Sequence, residues 1–197
     1  MTSSGNRADD GGARAPLDVD ASRAAWLEAR TFDDLCRLGG RFVAGELTFF
    51  PGWNAPDLDE ESDAIATTLI ELHRGGFLTV ASQPASPVQH AFVAGFVGPA
   101  LAARLATLDG RDGLVVAVFA EGSTRASRPE PVSFHDGVAH AFAGHDARAD
   151  EIVCFEDHVS ASALQHLRSA SYVSAHDTHR GRVDTLWTAL RRALVPT

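Results

Sequence analysis

Residues 41–84, RFVAGELTFFPGWNAPDLDEESDAIATTLIELHRGGFLTVASQP, decide the fold of this chain. The segment opens with acidic and aromatic residues, GELTFFPGW, around a Pro-Gly turn signal. Acids then crowd the first turn of a predicted helix over residues 59–74, which has a helical apolar stripe and ends at Gly75. The apolar run FLTVAS, residues 77–82, predicts a buried strand that ends at a Gln-Pro pair.

Polar side chains stand near the helix start and along the strand. Glu60 and Glu61 lie at the predicted helix start, and Thr79 and Ser82 lie on the strand toward its end. Such groups suit a small ligand with hydroxyls and an amine, whereas carboxylates would repel a phosphate. The alternative is that the acids only stabilise the helix dipole. Ser82 lacks the GxSxG elbow that surrounds a nucleophilic serine, so its alternative role is to make a hydrogen bond at the end of the strand.

Length and composition narrow the class of protein. The 197 residues suit one domain, and 45% hydrophobic with 22% charged residues is a globular balance. All 17 basic residues are arginine, so lysine Schiff-base chemistry, including that of pyridoxal phosphate enzymes, is excluded. A net charge of −9 without a dense basic patch predicts no nucleic-acid partner and no membrane partner.

Two further expectations concern location and domain organisation. No apolar run reaches the length of a membrane span, and no signal peptide pattern opens the chain, so we expect a cytoplasmic protein. Residues 1–19 are rich in Gly, Ser, Asp and Arg and predict a disordered tail. Residues 20–197 are expected to form one domain.

Helices and strands are intermixed along the rest of the chain, which predicts an α+β fold. Without GxGxxG or GxxxxGK[ST], a Rossmann methyltransferase is not expected. Residues 132–145 fit either a hairpin or a helix. Further helices are predicted near residues 20–30, 31–43, 89–97, 99–108, 160–168 and 182–194. Further strands are predicted at 114–119, taken as central, at 151–155 and at 172–175.

The histidines and cysteines offer several chemistries without a decisive motif. His135, His140 and His145 recur at fixed spacing, but no HExxH pattern occurs, so surface histidines are favoured over a metal site. The Asp157-His158 pair and the segment 176–179, HDTH, would form an acid/base cluster only if the fold joined them. Cys36 and Cys154 match no metal spacing and are expected to be structural thiols.

A set of short motifs in and after residues 41–84 carries a family resemblance. The chain resembles the C-terminal S-adenosylmethionine-binding regulatory domain of eukaryotic methylenetetrahydrofolate reductase, as a freestanding bacterial homologue. It is also similar to small actinobacterial proteins that share the SQP segment. The motifs that match are Gly45-Glu46, Pro51-Gly52-Trp53, Glu61-Ser62, GFLTVASQP at 76–84, QHAFVAGF at 89–96 and Pro131-Val132-Ser133-Phe134.

The resemblance implies a fold and a ligand. The fold would have mixed β-sheets in the core, surrounded by five to seven helices. The ligand would be S-adenosylmethionine, or S-adenosylhomocysteine as product or inhibitor. The residues that the resemblance assigns to ligand binding are Trp53, Glu61, Ser62, Thr79, Ser82 and Ser127.

Departures from the family pattern leave three functions open. Only Ala85-Ser86-Pro87-Val88 remains of a long glycine-rich loop, which could open the pocket to a methyl acceptor. The first hypothesis is therefore a methyltransferase acting on a small molecule or peptide, in which the sequence offers as bases His73, His90, Asp157 and His158. The second is a sensor that binds either ligand without turnover and acts on a partner protein. The third is a structural subunit that has lost the ligand. A homodimer is compatible with each hypothesis.

Overall fold

The computed structural model describes residues 18–123, 126, 128–135 and 137–195. Most of the segment expected to be a tail lies outside this part, and the first helix begins at Val19. In chain order the elements are α1 (Val19–Glu28), α2 (Phe32–Val43), a 3₁₀ helix (Glu60–Ile65), α3 (Ala66–Arg74), β1 (Phe77–Gln83), β2 (Phe92–Val97), α4 (Pro99–Ala106), β3 (Leu114–Phe119), β4 (Glu130–His135), β5 (Val138–Ala143), α5 (Arg148–Phe155), α6 (Ala161–Ser169), β6 (Ser171–Asp177) and α7 (Thr185–Leu194).

The strands form a four-stranded sheet in the order β1-β2-β6-β3 and a separate β4-β5 hairpin. Every pairing is antiparallel. The predicted α+β class is thus confirmed, with antiparallel rather than mixed sheets. Residues 132–145 adopt the hairpin and not the helix.

Helices cover both faces of the large sheet. Side chains from α1, α2, α5 and α6 form one hydrophobic core with the aromatic loop before the 3₁₀ helix. Side chains from α3, α4 and α7 form a second core on the opposite face. Because both faces are covered, β2 and β6 are buried along their whole lengths.

Local signals explain how the helices next to the site begin and end. Thr31 and Asp34 form a capping box at α2, and the hydrogen bonds that Asp34 accepts from the Arg30 backbone, Arg37 and Thr31 lower its pKa to about 2. Gly76 follows α3 with a φ of 85°, a conformation that favours glycine, and lets the chain reverse into β1. The sequence placed the end of α3 and the start of β1 correctly.

Three predicted elements were wrong. Residues 92–97 form strand β2 rather than a helix, and residues 148–155 form helix α5 rather than a strand. Strand β3 lies at the edge of the sheet and not at its centre, because the later strand β6 inserts between β2 and β3. In the described residues, no helix is both long and apolar enough to cross a lipid bilayer.

Candidate functional site: an acid-rimmed pocket beside strand β1

An open pocket of about 700 Å³ lies beside β1, which is an edge strand of the large sheet. The aromatic loop with the following 3₁₀ helix, the second half of β1 and the β4-β5 hairpin enclose most of it, and side chains of α2, α3 and β2 complete the lining. A bulge between Thr79 and Ala81 shifts the register of β1 at this point. The volume lies within the roughly 300–1,000 Å³ that small-molecule sites occupy. We call this cavity the central pocket.

The structure brings most of the sequence-predicted ligand residues together. Trp53, Glu61, Ser62, Thr79 and Ser82 all line the central pocket. They come from three different pieces of local structure, the aromatic loop, the 3₁₀ helix and β1. The expected meeting of a helix start with a strand end is therefore present, although the acids stand on a 3₁₀ turn that precedes α3 rather than on α3 itself.

Several polar groups of the pocket have no partner among the residues that the structure describes. Ser62 is 5% exposed, and its hydroxyl makes no hydrogen bond to any residue that the structure describes. Glu60 and Glu61 are exposed at the rim and form no ion pair within the same part of the chain. By contrast, Glu46 pairs with Arg41 at 3.0 Å. Unpaired polar groups that line one cavity are typical of a binding site.

Thr79 is the pocket hydroxyl that does have a partner. Its Oγ1 lies 3.0 Å from Nε2 of His73, and both side chains are buried. Burial lowers the pKa of His73 to about 3, so the ring is neutral at physiological pH. His73 lines the central pocket, but its Nε2 is engaged with Thr79 and its Nδ1 is buried. His73 is therefore placed to orient Thr79, not to act as a free base.

Aromatic and apolar side chains form the remaining wall. Phe50, Phe92 and Phe134 line the pocket together with Trp53, whose Nε1 donates a hydrogen bond to the Asp57 carbonyl at 3.0 Å. Of the described residues that line the cavity, three are carboxylates, Asp59 being the third, and none is an arginine. The pocket therefore suits a ligand with a flat apolar part and a positive charge rather than an anion.

The β4-β5 hairpin supplies a wall of the pocket whose residues are not among the sequence-predicted ligand residues. Ser133, Phe134 and His140 line the pocket from this hairpin. The signal that could have found the first two was the Pro131-Val132-Ser133-Phe134 motif, which sequence reasoning matched to the family but did not assign to the site. His140 carries no such signal, because only the folded hairpin brings it to the rim.

Polar contacts hold the hairpin against the sheet. Gln83 Nε2 donates to the carbonyls of His90 at 3.2 Å and Val132 at 3.4 Å. The guanidinium of Arg180 lies 5.0 Å from the centre of the Phe134 ring, within the range of a cation–π contact. These contacts link the end of β1, the segment before β2 and the chain after β6 to one wall of the pocket.

His90 lies behind this wall and does not line the central pocket. Its Nδ1 donates to the Asp177 carbonyl at 2.8 Å, and its Nε2 accepts from Nε of Arg180 at 3.3 Å. Both ring nitrogens are thus engaged. The buried Asp177 carboxylate in turn holds Arg182, with contacts of 2.8 and 2.6 Å.

Asp157 and His158 belong to a different cavity. They line a pocket of about 520 Å³, where the His158 ring meets Phe49 edge-on with centroids 5.0 Å apart. The structure does not join them to the 176–179 segment, whose His176 instead contacts Glu130 at 3.1 Å. Trp53 lines both cavities and separates them. Ser127 lies outside the described residues.

Neither cysteine lines the central pocket, and neither has the environment of an activated nucleophile. Cys36 is buried in α2, and burial raises the pKa of its thiol. Burial, with the charges of Glu151 and Asp150, also raises the pKa of Cys154. Across the described part of the chain, no three His, Cys, Asp or Glu side chains come together as a metal site.

The fold and the site together define the class of this protein: an α+β domain with a ligand-sized, acid-rimmed pocket at one edge of an antiparallel sheet. The chain belongs to the family described as Domain of unknown function (DUF6919), which matches residues 21–197. No protein of curated function matches it in sequence.

Proposed function

We propose that the central pocket binds S-adenosylmethionine or S-adenosylhomocysteine, and that the chain is a methyltransferase acting on a small molecule or peptide. The observation that carries the binding proposal is the convergence of unpartnered polar groups, Glu60, Glu61 and Ser62, on a cavity with aromatic walls and no arginine. The family resemblance of the same segment supports the identity of the ligand.

The chemistry of the pocket is compatible with each part of such a ligand. Phe50, Trp53 and Phe92 offer flat apolar surface for an adenine ring. Glu60 and Glu61 supply negative charge for a sulfonium or an ammonium group, and for ribose hydroxyls. Ser62, Thr79 and Ser82 supply hydroxyls for polar edges.

Methyl transfer needs room for an acceptor and a destination for its proton. The acids Glu60 and Glu61 and the hairpin residue His140 are all exposed, so the pocket opens to solvent between them. A bound adenosylmethionine would supply the methyl group, and an acceptor would approach from this open side. We propose that His140 takes the proton that the acceptor loses, because His73 and His90 are engaged in hydrogen bonds.

The alternative is a sensor that binds either ligand without turnover. The observation that favours it is the engagement of His73 with Thr79, which leaves no free histidine among the described residues in the buried part of the pocket. The two functions differ in one product. A methyltransferase releases adenosylhomocysteine when acceptors are supplied, whereas a sensor binds and changes conformation only.

Calorimetric titration with both adenosyl ligands tests the binding proposal. We expect wild type to bind and Glu61→Ala to bind at least about tenfold more weakly, the loss expected for a charge-assisted contact of 1.4 kcal/mol or more. Asp63→Ala is the matched control, since Asp63 lies exposed on the same 3₁₀ helix but does not line the pocket. Absence of heat with wild type would reject the proposal and favour a structural role.

A further inference from the structure

We infer that His73 fixes the hydrogen-bond polarity of Thr79, so that the Thr79 hydroxyl acts as a donor toward the ligand of the central pocket. The inference rests on the proposed function, because it concerns the ligand of the same site. It adds a specificity rule: the ligand must present an acceptor atom to Thr79. His73 is then a positioning residue that acts through Thr79.

The geometry of the pair leaves few hydrogen-bonding choices. His73 is 1% exposed and Thr79 is 7% exposed, and the only partner of each side chain among the described residues is the other. Nδ1 of His73 is buried without a partner in the same part of the chain. That edge of the ring faces α2, where a Cβ atom on Gly39 would lie 2.7 Å from Nδ1. Nδ1 therefore lies close to the backbone of α2 and has no hydrogen-bond partner there.

The protonation of the ring follows from this environment. A charged imidazolium is disfavoured by burial, so one ring nitrogen carries a hydrogen and the other a lone pair. A hydrogen on Nδ1 would be a buried N–H without an acceptor, which is rare in folded proteins. A hydrogen on Nε2 leaves only an unused lone pair on Nδ1, which is the lesser cost. The structure thus assigns the hydrogen to Nε2.

The polarity of Thr79 is the consequence. Nε2–H of His73 donates to Oγ1 of Thr79 across 3.0 Å, so the hydroxyl oxygen is already an acceptor. Its own hydrogen has no acceptor among the described residues and is left for the pocket, which Thr79 lines. Ring nitrogens, ribose oxygens and a carboxylate can accept this hydrogen. A ligand that offers only a donor there would leave a buried hydroxyl unsatisfied and would bind more weakly.

The tautomer can be read directly in the ligand-free protein. Long-range proton–nitrogen correlation spectra of the full chain, labelled with nitrogen-15 in histidine, distinguish the two ring nitrogens. The His73 signals are assigned by their loss in His73→Gln. We expect the hydrogen on Nε2. A hydrogen on Nδ1 would make Thr79 the donor to His73 and would overturn the inference, whatever the pocket binds.

Titration with adenosylhomocysteine tests the effect on the ligand. Thr79→Ser keeps the hydroxyl and should bind within about twofold of wild type, whereas Thr79→Val should bind about tenfold more weakly, the effect of one lost hydrogen bond in a buried site. His73→Phe should weaken binding, and His73→Gln should rescue it because the amide N–H can still donate to Thr79. Melting curves confirm that each variant folds.

The outcomes separate the two proposals. Equal affinity of Thr79→Val and wild type would overturn the inference while leaving the proposed function in place. If wild type binds neither adenosyl ligand, the proposed function fails, and the spectrum alone still decides the polarity of Thr79.

Discussion

Oε2 of Glu130 lies 3.1 Å from Nε2 of His176, so an exposed carboxylate at the start of β4 reaches a histidine buried in β6. Burial lowers the pKa of His176, and the hydrogen bond that Glu130 accepts from its ring opposes that shift. The contact joins the hairpin to a central strand of the large sheet. It therefore helps to hold the pocket wall that carries Ser133 and Phe134.

Removing this contact should loosen the hairpin without unfolding the domain. In Glu130→Ala we expect faster amide hydrogen exchange in β4 and β5, because the hairpin loses a contact with the large sheet. The domain should stay folded, because one hydrogen bond contributes only about 1 kcal/mol. Hydrogen-exchange mass spectrometry resolves the hairpin from the large sheet. Ligand affinity should fall as well if the hairpin forms part of the binding site.

The control for this change is Glu156→Ala. Glu156 forms an exposed ion pair with Arg168 at 2.8 Å, away from the hairpin. We expect exchange in β4 and β5 to match wild type in this variant. If Glu130→Ala also leaves hairpin exchange unchanged, the Glu130–His176 contact does not hold the wall.

Local sequence predicted the part of the site that is contiguous in the chain. Glu61, Ser62, Thr79 and Ser82 lie within 22 residues of each other, and Gly75 and Gly76 mark the reversal that folds the strand back beside the helix. A helix stop followed at once by an apolar run is a strong signal. For this reason their meeting in one pocket could be anticipated.

The β4-β5 wall could not be anticipated in the same way. His140 lies far along the chain from β1, and its place at the rim depends on the Glu130–His176 and Gln83–Val132 contacts. No periodicity in the sequence encodes contacts between such distant segments. The hairpin was one of two alternatives that the sequence left open, and its docking position could not be predicted.

The misassigned elements have related physical causes. Strand β2, FVAGFV, is buried on both faces, so it lacks the alternation of a half-exposed strand. Phe92 and Phe96 recur at helical spacing and imitate an apolar stripe. In α5 the run EIVCF has the composition of a strand, and the prediction overlooked Asp150 and Glu151, which are acids typical of the first turn of a helix.

We predict that position 39 must be glycine, because the His73 ring packs against it. A Cβ atom at Gly39 would lie 2.4 Å from Cε1 of His73, whereas one at Gly40 would lie 3.3 Å from its Cβ. Gly39→Ala should therefore destabilise the protein by about 1–3 kcal/mol through overpacking. Gly40→Ala is the matched control in the same helix. Its added Cβ atom meets His73 less closely, and the gain in helix propensity, about 1 kcal/mol, should offset that contact. Urea unfolding measures both, and equal stability of the two variants would contradict the prediction.

His73 should make stability fall in acid. Its pKa is lowered from 6.5 in the unfolded chain to about 3 in the fold, so below pH 6.5 the unfolded state takes up a proton that the folded state refuses. The free energy of unfolding should decrease by about 1.4 kcal/mol per pH unit between these values from this group. His73→Gln has no group that titrates at this position. The difference in free energy of unfolding between wild type and this variant should therefore shrink as pH falls from 6.5. A constant difference from pH 7 to pH 4 would show that His73 is not buried in neutral form.

Glu151 should have the opposite pH dependence. Burial, together with the charge of Asp150, raises its pKa from 4.5 to about 7. The folded state therefore holds a proton that the unfolded chain has released, and stability from this group is present below pH 4.5 and is lost as pH rises through 7. Glu151→Gln keeps the neutral shape and should be more stable than wild type at pH 8, with the advantage disappearing near pH 4. Glu28→Gln is the control, since it makes the same substitution at an exposed glutamate of α1. Melting temperatures of wild type and variants at pH 8 and pH 4 measure the effect. If Glu151→Gln is as much more stable than wild type at pH 4 as at pH 8, the raised pKa is not the cause.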